Sequence, residues 1–343
     1  MHIGVIGAGA ASAAATHVLS ETTDASVTVF EKSGGLCGRA ATRRRDGRYY
    51  DYGANYVKDD DERVVELLTE TLDDEGLVAI DDPIYVFDES GTVSEGRETD
   101  RKWSYDEGLT QIAKRLFGGT DATIHRRTRI ETIHRAGEQW RLTDTDGERY
   151  GPFDLLLCNA PAPQAETLLR DAEWDAEIRE TLADAVGEVE YRTIWTAVLG
   201  YEFELDVPYY GLVNTDKNHE IGWISREECK SGHVPDGESL LIVQANQEWS
   251  LEHYDDAPED NVAELADMTA DIVGEERLTD PDWTDHQGWR YALPEGGVAS
   301  GPLDSAEDEG LYCLGDWVAG EARLHAALRN GLDTGERVAH RLA

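Results

Sequence analysis

The chain has 343 residues, 40% of them hydrophobic, and a chain of this length ordinarily buries a sizeable core in two lobes. Its 71 acidic and 31 basic residues give a formal net charge of −40, which repels nucleic acid and anionic lipid. Apolar runs stay well short of the ~18 residues of a membrane span, and the N-terminus lacks the basic segment of a signal peptide. These features predict a cytoplasmic protein without nucleic-acid or membrane partners and leave its oligomeric state open.

The acidic residues are scattered along the chain, and only six of the basic residues are Lys. Adaptation to a salt-rich cytoplasm accounts for such a surface, because salt screens repulsion between exposed charges. An acidic protein with well-solvated faces is the alternative. The ten His form no metal-binding motif, and the four Cys form no Cys-x-x-Cys pair, so we expect neither a metal site nor a disulfide framework.

The N-terminal segment predicts a strand, a helix and a second strand, which is the opening βαβ unit of a parallel sheet. The strands are residues 2–6 and 27–30, and the Ala-rich helix is residues 10–19. Gly7 permits the tight turn after the first strand, and Gly9 lets the backbone approach a pyrophosphate at the helix N-terminus.

Two further positions extend this dinucleotide-binding pattern. Ser12 takes the third glycine position of G-x-G-x-x-G, where a small residue still lets the helix pack closely on the strand. Glu31 ends the second strand, where its carboxylate can accept hydrogen bonds from both ribose hydroxyls. The pattern predicts a bound dinucleotide but does not distinguish FAD from NAD.

A second Gly-rich loop, residues 32–44, follows directly, and Asp51–Tyr56 lies close behind it. A flavin cofactor laid lengthwise across the domain needs a second phosphate loop here, whereas a nicotinamide cofactor does not. The fork of the Arg39 guanidinium suits paired pyrophosphate oxygens. A solvated basic loop is the alternative, but we expect FAD.

Residues 58–165 predict helices that alternate with strands. Apolar residues between Val64 and Leu72 have helical spacing, residues 84–87 predict a strand, and residues 108–116 predict an amphipathic helix. A β-meander follows, and then a helix after Pro163. The predicted strands of the meander are residues 123–133, 139–143 and 153–158, with a turn at Asp146-Gly147.

Residues 190–245 alternate apolar and polar side chains, which predicts an antiparallel sheet inserted between α/β segments. A helix at 261–273 and a last strand at 310–314 follow, and a helix then runs from Asp316 to Leu342. The candidate strands of the antiparallel sheet are residues 193–203, 209–213, 220–225 and 239–245.

Together these elements predict an α/β protein with a Rossmann-type FAD-binding domain and a second, α+β substrate domain built on the antiparallel sheet. The predicted FAD-binding domain is discontinuous and comprises residues 1–57, 119–165 and 286–343. The predicted substrate-binding domain comprises residues 58–118 and 166–285.

Several motifs spread along the chain carry a family resemblance. They are Lys32-Ser33, Gly38-Arg39, Ala41-Thr42-Arg43-Arg44, Gly53-Ala54-Asn55-Tyr56, Asn159-Ala160-Pro161-Ala162-Pro163-Gln164-Ala165, Trp289-Arg290-Tyr291-Ala292-Leu293-Pro294 and Gly315-Asp316-Trp317. In their order and spacing the sequence resembles the renalase-like branch of the flavin-containing amine oxidase superfamily over essentially its whole length. It departs from that branch at Gly34, Cys37, Ala40 and Asn55, where the family usually has Arg, Gly, Met and Gln.

The resemblance implies an FAD-binding fold like those of p-hydroxybenzoate hydroxylase and the amine oxidases. The residues that it implies in FAD contacts are Ala11, Glu31, Arg39, Asn55, Tyr56, Ile130 and Asp316. The remaining cofactor candidates belong to the two Gly-rich loops and their neighbours, namely Gly7, Gly9, Ala10, Lys32, Gly38, Gly53 and Ala54. Asp316 also suits the role on physical grounds, although a plain helix N-cap would look the same in the sequence.

Four aromatic residues are candidates for walls of a cavity over the flavin ring: Tyr56, Trp289, Tyr291 and Trp317. Flat apolar walls orient a planar substrate for hydride transfer and exclude water. A place in the core is the alternative for each of them. His325, in the last helix, is a further candidate for contact with flavin or substrate, with a core or surface position as its alternative.

The resemblance implies hydride transfer from a reduced substrate to flavin N5 and reoxidation of the flavin by O₂. In renalase-like enzymes the substrates are dihydro-NAD(P) isomers, which are oxidised to NAD(P)⁺. Oxidation of a small amine, as in the wider superfamily, is one alternative, and a non-catalytic flavin-binding or redox-sensing role is another. No acid–base pair stands out in the sequence, and hydride transfer to a flavin requires none.

Overall fold

A computed structural model of the protein describes residues 1–97 and 101–343. The strands are β1 (His2–Ile6), β2 (Ser26–Glu31), β3 (Thr42–Arg45), β4 (Arg48–Asp51), β5 (Val57–Lys58), β6 (Leu77–Ala79), β7 (Ile84–Phe87), β8 (Val93–Ser94), β9 (Lys102–Tyr105), β10 (Thr123–Arg126), β11 (Ile130–Ala136), β12 (Gln139–Asp144), β13 (Arg149–Phe153), β14 (Leu155–Cys158), β15 (Glu190–Tyr201), β16 (Gly211–Asn214), β17 (Ile221–Arg226), β18 (Ser239–Ala245), β19 (Trp283–Glu295) and β20 (Leu311–Cys313).

The α-helices are α1 (Ala10–Thr22), α2 (Glu62–Glu66), α3 (Thr110–Gly118), α4 (Ala162–Arg170), α5 (Ala176–Gly187), α6 (Gln247–Glu252), α7 (Pro258–Val273), α8 (Ser300–Asp308), α9 (Asp316–Ala319) and α10 (Leu324–Leu342). A π-helical turn, Leu67–Thr71, continues α2, and a 3-10 turn, Glu227–Cys229, follows β17. Within the described residues, no helix combines the length and the apolar character that crossing a bilayer requires.

Five parallel strands form one sheet, in the order β10–β2–β1–β14–β20. Val5 in β1 pairs with Val29 on one side and with Leu157 on the other, and all three side chains are fully buried. Such apolar strands suit a sheet that is covered on both faces. Helices α1, α3 and α10 pack in the core on one face, and α4, α5, α8 and the three-stranded sheet β11–β12–β13 pack on the other. The predicted Rossmann-type fold is confirmed.

The C-terminal helix α10 approaches α1 so closely that only glycine fits at the contact. A Cβ atom at Gly331 would lie 2.1 Å from the carbonyl oxygen of Ala11, and one at Gly335 would lie 2.9 Å from that of Ala15. Two small-residue faces therefore let the backbones of the two helices meet. This contact places the end of the chain directly behind the Gly-rich turn that begins α1.

Seven strands form the second large sheet, in the order β19–β15–β18–β17–β16–β7–β8. Its pairs are antiparallel except that of β16 with β7, which is parallel. Leu199 of β15 and Val243 of β18 are fully buried on the face that α7 covers. The antiparallel sheet predicted from residues 190–245 is confirmed, with one parallel pair that the sequence did not indicate.

The meander predicted over residues 123–158 is wrong, because these strands belong to two sheets. Strands β10 and β14 lie in the parallel sheet, whereas β11, β12 and β13 form a separate antiparallel sheet. The predicted strand 123–133 is interrupted at Arg127, whose φ of 58° turns the chain between β10 and β11. A periodicity of two occurs in both kinds of sheet, so alternation alone did not separate them.

The C-terminal prediction also needs two corrections. The helix expected from Asp316 to Leu342 is two helices, because Gly320, with φ 73°, ends α9 before α10 begins. The long edge strand β19 was not predicted at all. It contains Asp285 and Gly288, whose residue types are depleted in strands. Its backbone hydrogen bonds with β15 stabilise the extended conformation that these residues do not favour locally.

Candidate functional site

A cavity of about 1790 Å³ lies where the carboxyl ends of β1, β2 and β14 face the seven-stranded sheet. Its volume exceeds the about 300–1,000 Å³ that is usual for a pocket holding one small ligand. Ligands of open α/β sheets bind at the carboxyl ends of the parallel strands. The cavity therefore has room for an extended cofactor together with a substrate.

One end of the cavity, the nucleotide end, is lined by the turn between β1 and α1. Gly7 has φ 94°, a backbone conformation that favours glycine, and Ser12 donates its hydroxyl to the carbonyl oxygens of Gly7 and Gly9 at 2.7 and 3.0 Å. The hydroxyl of Ser12 thus closes the turn where the expected third glycine is missing. A Cβ atom at Gly9 would lie 2.4 Å from Oδ1 of Asn159, so the turn has no room for a side chain.

Glu31 lies at the nucleotide end and is 8% exposed. Its Oε2 accepts a hydrogen bond from the backbone N–H of Ala8 at 2.9 Å, and its Oε1 accepts one from that of Ser33 at 2.7 Å. The carboxylate therefore ties the first Gly-rich turn to the second loop. Each oxygen can accept a further hydrogen bond, so the residue still suits a ribose.

Segment 52–56 lies against the second Gly-rich loop. A Cβ atom at Gly53 would lie 2.1 Å from the carbonyl oxygen of Arg39, and the backbone N–H of Ala54 donates to that same oxygen at 2.9 Å. The side chain of Asn55 accepts from the Ser225 hydroxyl at 2.9 Å and donates to the carbonyl of Gly53 at 3.1 Å. Two closely packed backbone segments therefore form a narrow cradle, which fits a dinucleotide.

Arg39 and Asp316 both line the cavity and form a bidentate ion pair, with both N–O distances 2.7 Å. The guanidinium also donates to the carbonyl of Ala292 at 2.9 Å. Burial acts to lower the pKa of Arg39, but the charge of Asp316 and its hydrogen bonds outweigh burial and raise that pKa. Asp316 is the first residue of α9 and Gly315 is its N-cap, so the plain N-cap reading of Asp316 is wrong.

Aromatic side chains line a second region of the cavity, which we call the substrate end after the sequence prediction of substrate-cavity residues here. Tyr52 stacks on Trp289 with ring centroids 5.1 Å apart, and the indole N–H of Trp289 donates to the carbonyl of Tyr52 at 3.2 Å. The guanidinium of Arg43 lies 4.2 Å from the centroid of Tyr52 on the ring face. Burial raises the pKa of Tyr56, whose ring contacts that of Trp223 at 6.1 Å. These rings form flat, partly apolar walls.

All of the residues that the sequence predicted to contact FAD line this one cavity: Gly7, Gly9, Ala10, Ala11, Glu31, Lys32, Gly38, Arg39, Gly53, Ala54, Asn55, Tyr56, Ile130 and Asp316. Of the predicted cavity residues, Tyr56, Trp289, Tyr291 and His325 also line it. His325 is nearly fully buried, and its Nε2 lies 3.1 Å from Oε1 of Glu321.

Trp317 does not line the cavity, so its predicted role as a wall is wrong. The side chain is 1% exposed, packs in the core behind β14 and β20, and donates its indole N–H to the carbonyl of Ala160 at 3.0 Å. Successive residues of an α-helix point about 100° apart, so the turn that directs Asp316 into the cavity directs Trp317 away from it.

The sequence analysis missed several lining residues of the substrate end. Trp223 of β17, Gln244 of β18 and Tyr254 after α6 all line the cavity. The side chain of Gln244 donates to the carbonyl of Gly53 at 2.8 Å, which ties the seven-stranded sheet to the cradle. These residues stand in ordinary alternating strands or in a polar turn, and no local motif marks them.

Directly behind segment 52–56 lies a cluster of charged side chains, Asp51, Glu227, Lys230 and His233, which we call the buried network. All four side chains are 0% exposed. The ammonium of Lys230 lies 3.0 Å from Oδ2 of Asp51 and 2.7 Å from Oε1 of Glu227, and Nδ1 of His233 lies 2.9 Å from Oε2 of Glu227.

The geometry of the buried network also bears on metal binding. One ligand atom each of Asp51, Glu227 and His233 lies within 4.8 Å of the others, close enough for a shared ion. The ammonium of Lys230 already bridges the two carboxylates and supplies a positive charge between them. The network therefore joins two buried carboxylates through one ammonium and anchors the start of segment 52–56.

The fold defines a protein with a Rossmann-type sheet and a second, largely antiparallel sheet, and one cavity is lined by residues of both. Residues 5–71 match the family model of the NAD(P)-binding Rossmann-like domain, and residues 96–339 match that of flavin containing amine oxidoreductase. The second match spans most of the chain, so the protein belongs to the flavin containing amine oxidoreductase family. It is an FAD-dependent oxidoreductase.

Solved structures of low sequence identity share the fold over nearly the whole chain. A putative protoporphyrinogen oxidase from Exiguobacterium sp. 255-15 is 15% identical, with 99% of each chain covered and a TM-score of 0.80. Wild-type putrescine oxidase bound to putrescine is 12% identical (99% of this chain and 100% of that chain, TM-score 0.75). Cyclohexylamine oxidase from Brevibacterium oxydans IH-35A is 13% identical (99% of each chain, TM-score 0.75).

Proposed function

We propose that the protein is a renalase-like oxidase, which oxidises dihydro-NAD(P) isomers to NAD(P)⁺ and uses O₂ as the electron acceptor. FAD held by the two Gly-rich loops would supply the hydride acceptor, and the two electrons of the hydride would end, with a proton from solvent, on O₂ as H₂O₂. The substrate loses one hydride and no other atom, so the protein need not supply a base or a nucleophile.

The charge of the cavity is the observation that carries this proposal. In the whole chain, acidic residues outnumber basic ones by 71 to 31, but the described residues that line the cavity show the opposite balance. Arg and Lys bind phosphate oxygens well. Basic residues still outnumber acidic ones when the cofactor candidates Glu31, Lys32, Arg39 and Asp316 are left out, so the rest of the lining favours a substrate with phosphates over a cationic amine. The basic lining residues are Lys32, Arg39, Arg43, Lys58, Arg129, Arg192, Lys217, Arg290 and Arg323, and the acidic ones are Glu31, Glu131, Asp171, Glu248, Glu295 and Asp316.

Two groups of residues have distinct roles in this proposal. The two Gly-rich loops, with Glu31 and Asn55, hold the cofactor along the nucleotide end. Tyr52, Trp289 and Tyr56 hold a planar dihydronicotinamide ring against the flavin and exclude water, which positions the transferred hydride.

Oxidation of a small amine is the second candidate. It is supported by the family to which the chain belongs, by the likeness in fold to a putrescine oxidase and a cyclohexylamine oxidase, and by the carboxylates of Glu248 and Glu295 in the cavity lining. A non-catalytic flavin-binding or redox-sensing protein is the third candidate, and the same experiment separates all three.

Anaerobic protein loaded with FAD is mixed with the 2- and 6-dihydro isomers of NAD(P), and separately with putrescine and cyclohexylamine. We expect rapid bleaching of the oxidised flavin band by a dihydro isomer, and recovery of the band with formation of H₂O₂ when O₂ enters. Bleaching by the amines alone would replace the proposal with amine oxidation. Bleaching by neither would favour the non-catalytic role.

A pair of glycine variants tests where the flavin binds, independently of turnover. Gly53→Ala forces a Cβ atom against the carbonyl oxygen of Arg39, and overpacking of this kind costs about 1–3 kcal/mol. We expect at least a tenfold weaker affinity for FAD, measured by quenching of flavin fluorescence. Gly301→Ala, in α8 outside the cavity, is the matched control, because a Cβ atom there has no neighbour within 4 Å. Equal affinities of the two variants would contradict the proposed flavin position.

We also propose the domain division that the sequence indicated, with residues 1–57, 119–165 and 286–343 binding FAD and residues 58–118 and 166–285 binding substrate. The five strands of the parallel sheet all fall within the first set, which supports the division. Strand β19 crosses the boundary at 285/286 and pairs with β15, so the substrate end draws on both sets.

We further propose that the protein works in the cytoplasm of a salt-adapted organism. Support comes from the net charge of −40 and from the surface of the described residues, where Met1 and Leu251 are the large hydrophobic side chains that are exposed. Salt screens the repulsion between these carboxylates. The unfolding midpoint is therefore expected to rise steeply with KCl, and a midpoint independent of KCl would contradict the proposal.

A further inference from the structure

Strand β19 carries an irregularity at the cavity. Arg192 of β15 pairs with Leu293 and Ile194 pairs with Trp289, so one residue of β15 faces the three residues 290–292 of β19. A bulge of this kind re-aims side chains and is common beside active sites. Arg290 and Tyr291, which the bulge contains, both line the cavity.

Two hydrogen bonds hold the bulge in place. The Thr193 hydroxyl donates to the carbonyl of Arg290 at 3.1 Å, and the guanidinium of Arg39 donates to the carbonyl of Ala292 at 2.9 Å. The second bond ties the bulge to the residue that pairs with Asp316 at the cofactor cradle. The bulge is thus fixed relative to the cofactor, as a recognition element must be.

The side chain of Arg290 rests on an aromatic platform. Its guanidinium lies 4.2 Å from the ring centroid of Tyr254, and that ring lies close enough to β19 that a Cβ atom at Gly288 would approach it to 3.1 Å. A planar guanidinium stacked on a ring has few rotamers left, so less entropy is lost when its fork binds an anion.

Arg290 also differs from its neighbours in its charge partners. Arg43 pairs with Asp285 at 2.8 Å and Arg192 pairs with Glu295 at 3.2 Å. In the described part of the chain, no carboxylate oxygen lies within 4.0 Å of the Arg290 guanidinium. In a protein of net charge −40, this guanidinium lines the cavity with its charge uncompensated by an ion pair.

We propose that Arg290 is a specificity-determining residue that binds a phosphate group of the substrate, and that the β19 bulge and Tyr254 place its guanidinium for this contact. The inference rests on the proposed function and deepens it, because it assigns the anionic part of the substrate to one side chain. This contact lies away from the transferred hydride. Its loss should therefore weaken substrate binding and leave the rate of hydride transfer unchanged.

The test compares Arg290→Gln and Arg290→Lys with Arg141→Gln, which changes an exposed arginine of β12 outside the cavity. Two reductants are used, a dihydro-NAD isomer and the matching dihydronicotinamide riboside isomer, which lacks phosphate. For the phosphate-bearing reductant, Arg290→Gln should raise the concentration for half-maximal anaerobic flavin reduction about 10-fold or more, as expected for a lost charge-assisted hydrogen bond. The limiting rate and the concentration dependence with the riboside should be unaffected in Arg290→Gln. The Arg141→Gln variant should behave like the wild type, and Arg290→Lys should recover part of the binding.

A binding measurement separates failure of this inference from failure of the proposed function. ADP-ribose is titrated into each FAD-loaded variant by calorimetry, with no redox step. Weaker binding to Arg290→Gln than to Arg141→Gln supports the phosphate site whichever reductant the enzyme accepts. Equal binding overturns the inference, even if dihydro-NAD isomers reduce the wild-type flavin. A wild-type flavin that no dihydro isomer reduces overturns the proposed function.

Discussion

The buried network behind the cavity and the ion pairs between α2 and α10 join the same kinds of side chain at very different exposures. In the buried network, Lys230 and both carboxylates are 0% exposed. At the protein surface, Arg63 pairs with Asp333 and with Glu336 at 2.6 Å, but these side chains are 44%, 42% and 57% exposed.

The exposure of each ion pair determines how much the stability of the fold depends on it. Water solvates an exposed partner once its pair is broken, so a surface pair contributes little. A buried carboxylate that loses its partner remains desolvated and uncompensated. The Arg39–Asp316 pair is intermediate, since its side chains are 29% and 9% exposed. The loss in the free energy of unfolding caused by a substitution should therefore be largest in the buried network, smaller at the Arg39–Asp316 pair and smallest at the surface pairs.

The largest effect is expected for Lys230→Met. This change leaves the carboxylates of Asp51 and Glu227 buried without their cation, and removing one partner of a buried pair costs about 3–5 kcal/mol. Denaturant unfolding measures the loss in the free energy of unfolding. Lys114→Met, the same substitution at an exposed position of α3, is the control and should change stability by less than about 0.5 kcal/mol. Similar values for the two variants would show that the network does not stabilise the fold.

The pH dependence of stability in Lys230→Met tests the contribution of the buried Asp51 carboxylate. Burial raises the pKa of Asp51, but the charges of Lys230 and His233 and the hydrogen bonds from Thr42 and Leu109 outweigh it, so the pKa lies below the ordinary 3.8. The stability contributed by Asp51 is thus present above about pH 4 and lost as the pH falls through the lowered pKa. The difference in stability between wild type and Lys230→Met should shrink as the pH falls below 4, and a constant difference would count against this account.

A loss of stability at alkaline pH is expected from Lys230 itself. Burial lowers the pKa of this ammonium, but the charges of Asp51 and Glu227 outweigh burial and raise it above the ordinary 10.5. The contribution of Lys230 is therefore complete below about pH 10.5 and is lost as the pH rises through the raised pKa. Unfolding curves between pH 9 and pH 12 should show this loss in the wild type and not in Lys230→Met.

An intermediate effect is expected for Arg39→Lys, which keeps the charge but removes the fork that pairs with Asp316. Hydrogen bonds to charged groups contribute about 1.5–3 kcal/mol, and the partial exposure of Arg39 places the expected loss at the lower end of this range. The affinity for FAD should fall as well, because Arg39 lines the nucleotide cradle. Arg141→Lys, at an exposed position of β12 outside the cavity, is the control, and equal FAD affinities of the two variants would remove Arg39 from the site.

The smallest effect is expected for Arg63→Gln, which breaks both pairs to α10. Exposed pairs contribute about 0–1 kcal/mol and are screened by salt. Unfolding in low and high KCl measures the change, which should decrease as KCl is added. A loss as large as that of Lys230→Met would break the rule that burial decides the value of these pairs.

Much of the nucleotide end was predictable because its parts are neighbours in the chain. The strand, the turn with Gly7 and Gly9, the helix and Glu31 fall within one short segment, and local conformational preference and apolar periodicity determine each of them. Local patterns led to two wrong predictions. The strands of residues 123–158 belong to two sheets and not to one meander, and a turn at Gly320 divides the last helix.

The dinucleotide-binding unit thus followed from the sequence, because its parts lie along one βαβ stretch, and the second Gly-rich loop directly after it, with the family resemblance, indicated FAD. The full set of residues at the substrate end, in contrast, depends on contacts between residues that are far apart in the sequence. Arg39 meets Asp316 across 277 positions of sequence, and Gln244 meets Gly53 across 191. Which distant side chains share a cavity, and why Asp316 enters it while Trp317 does not, follows from packing between sheets, and no local pattern encodes that packing.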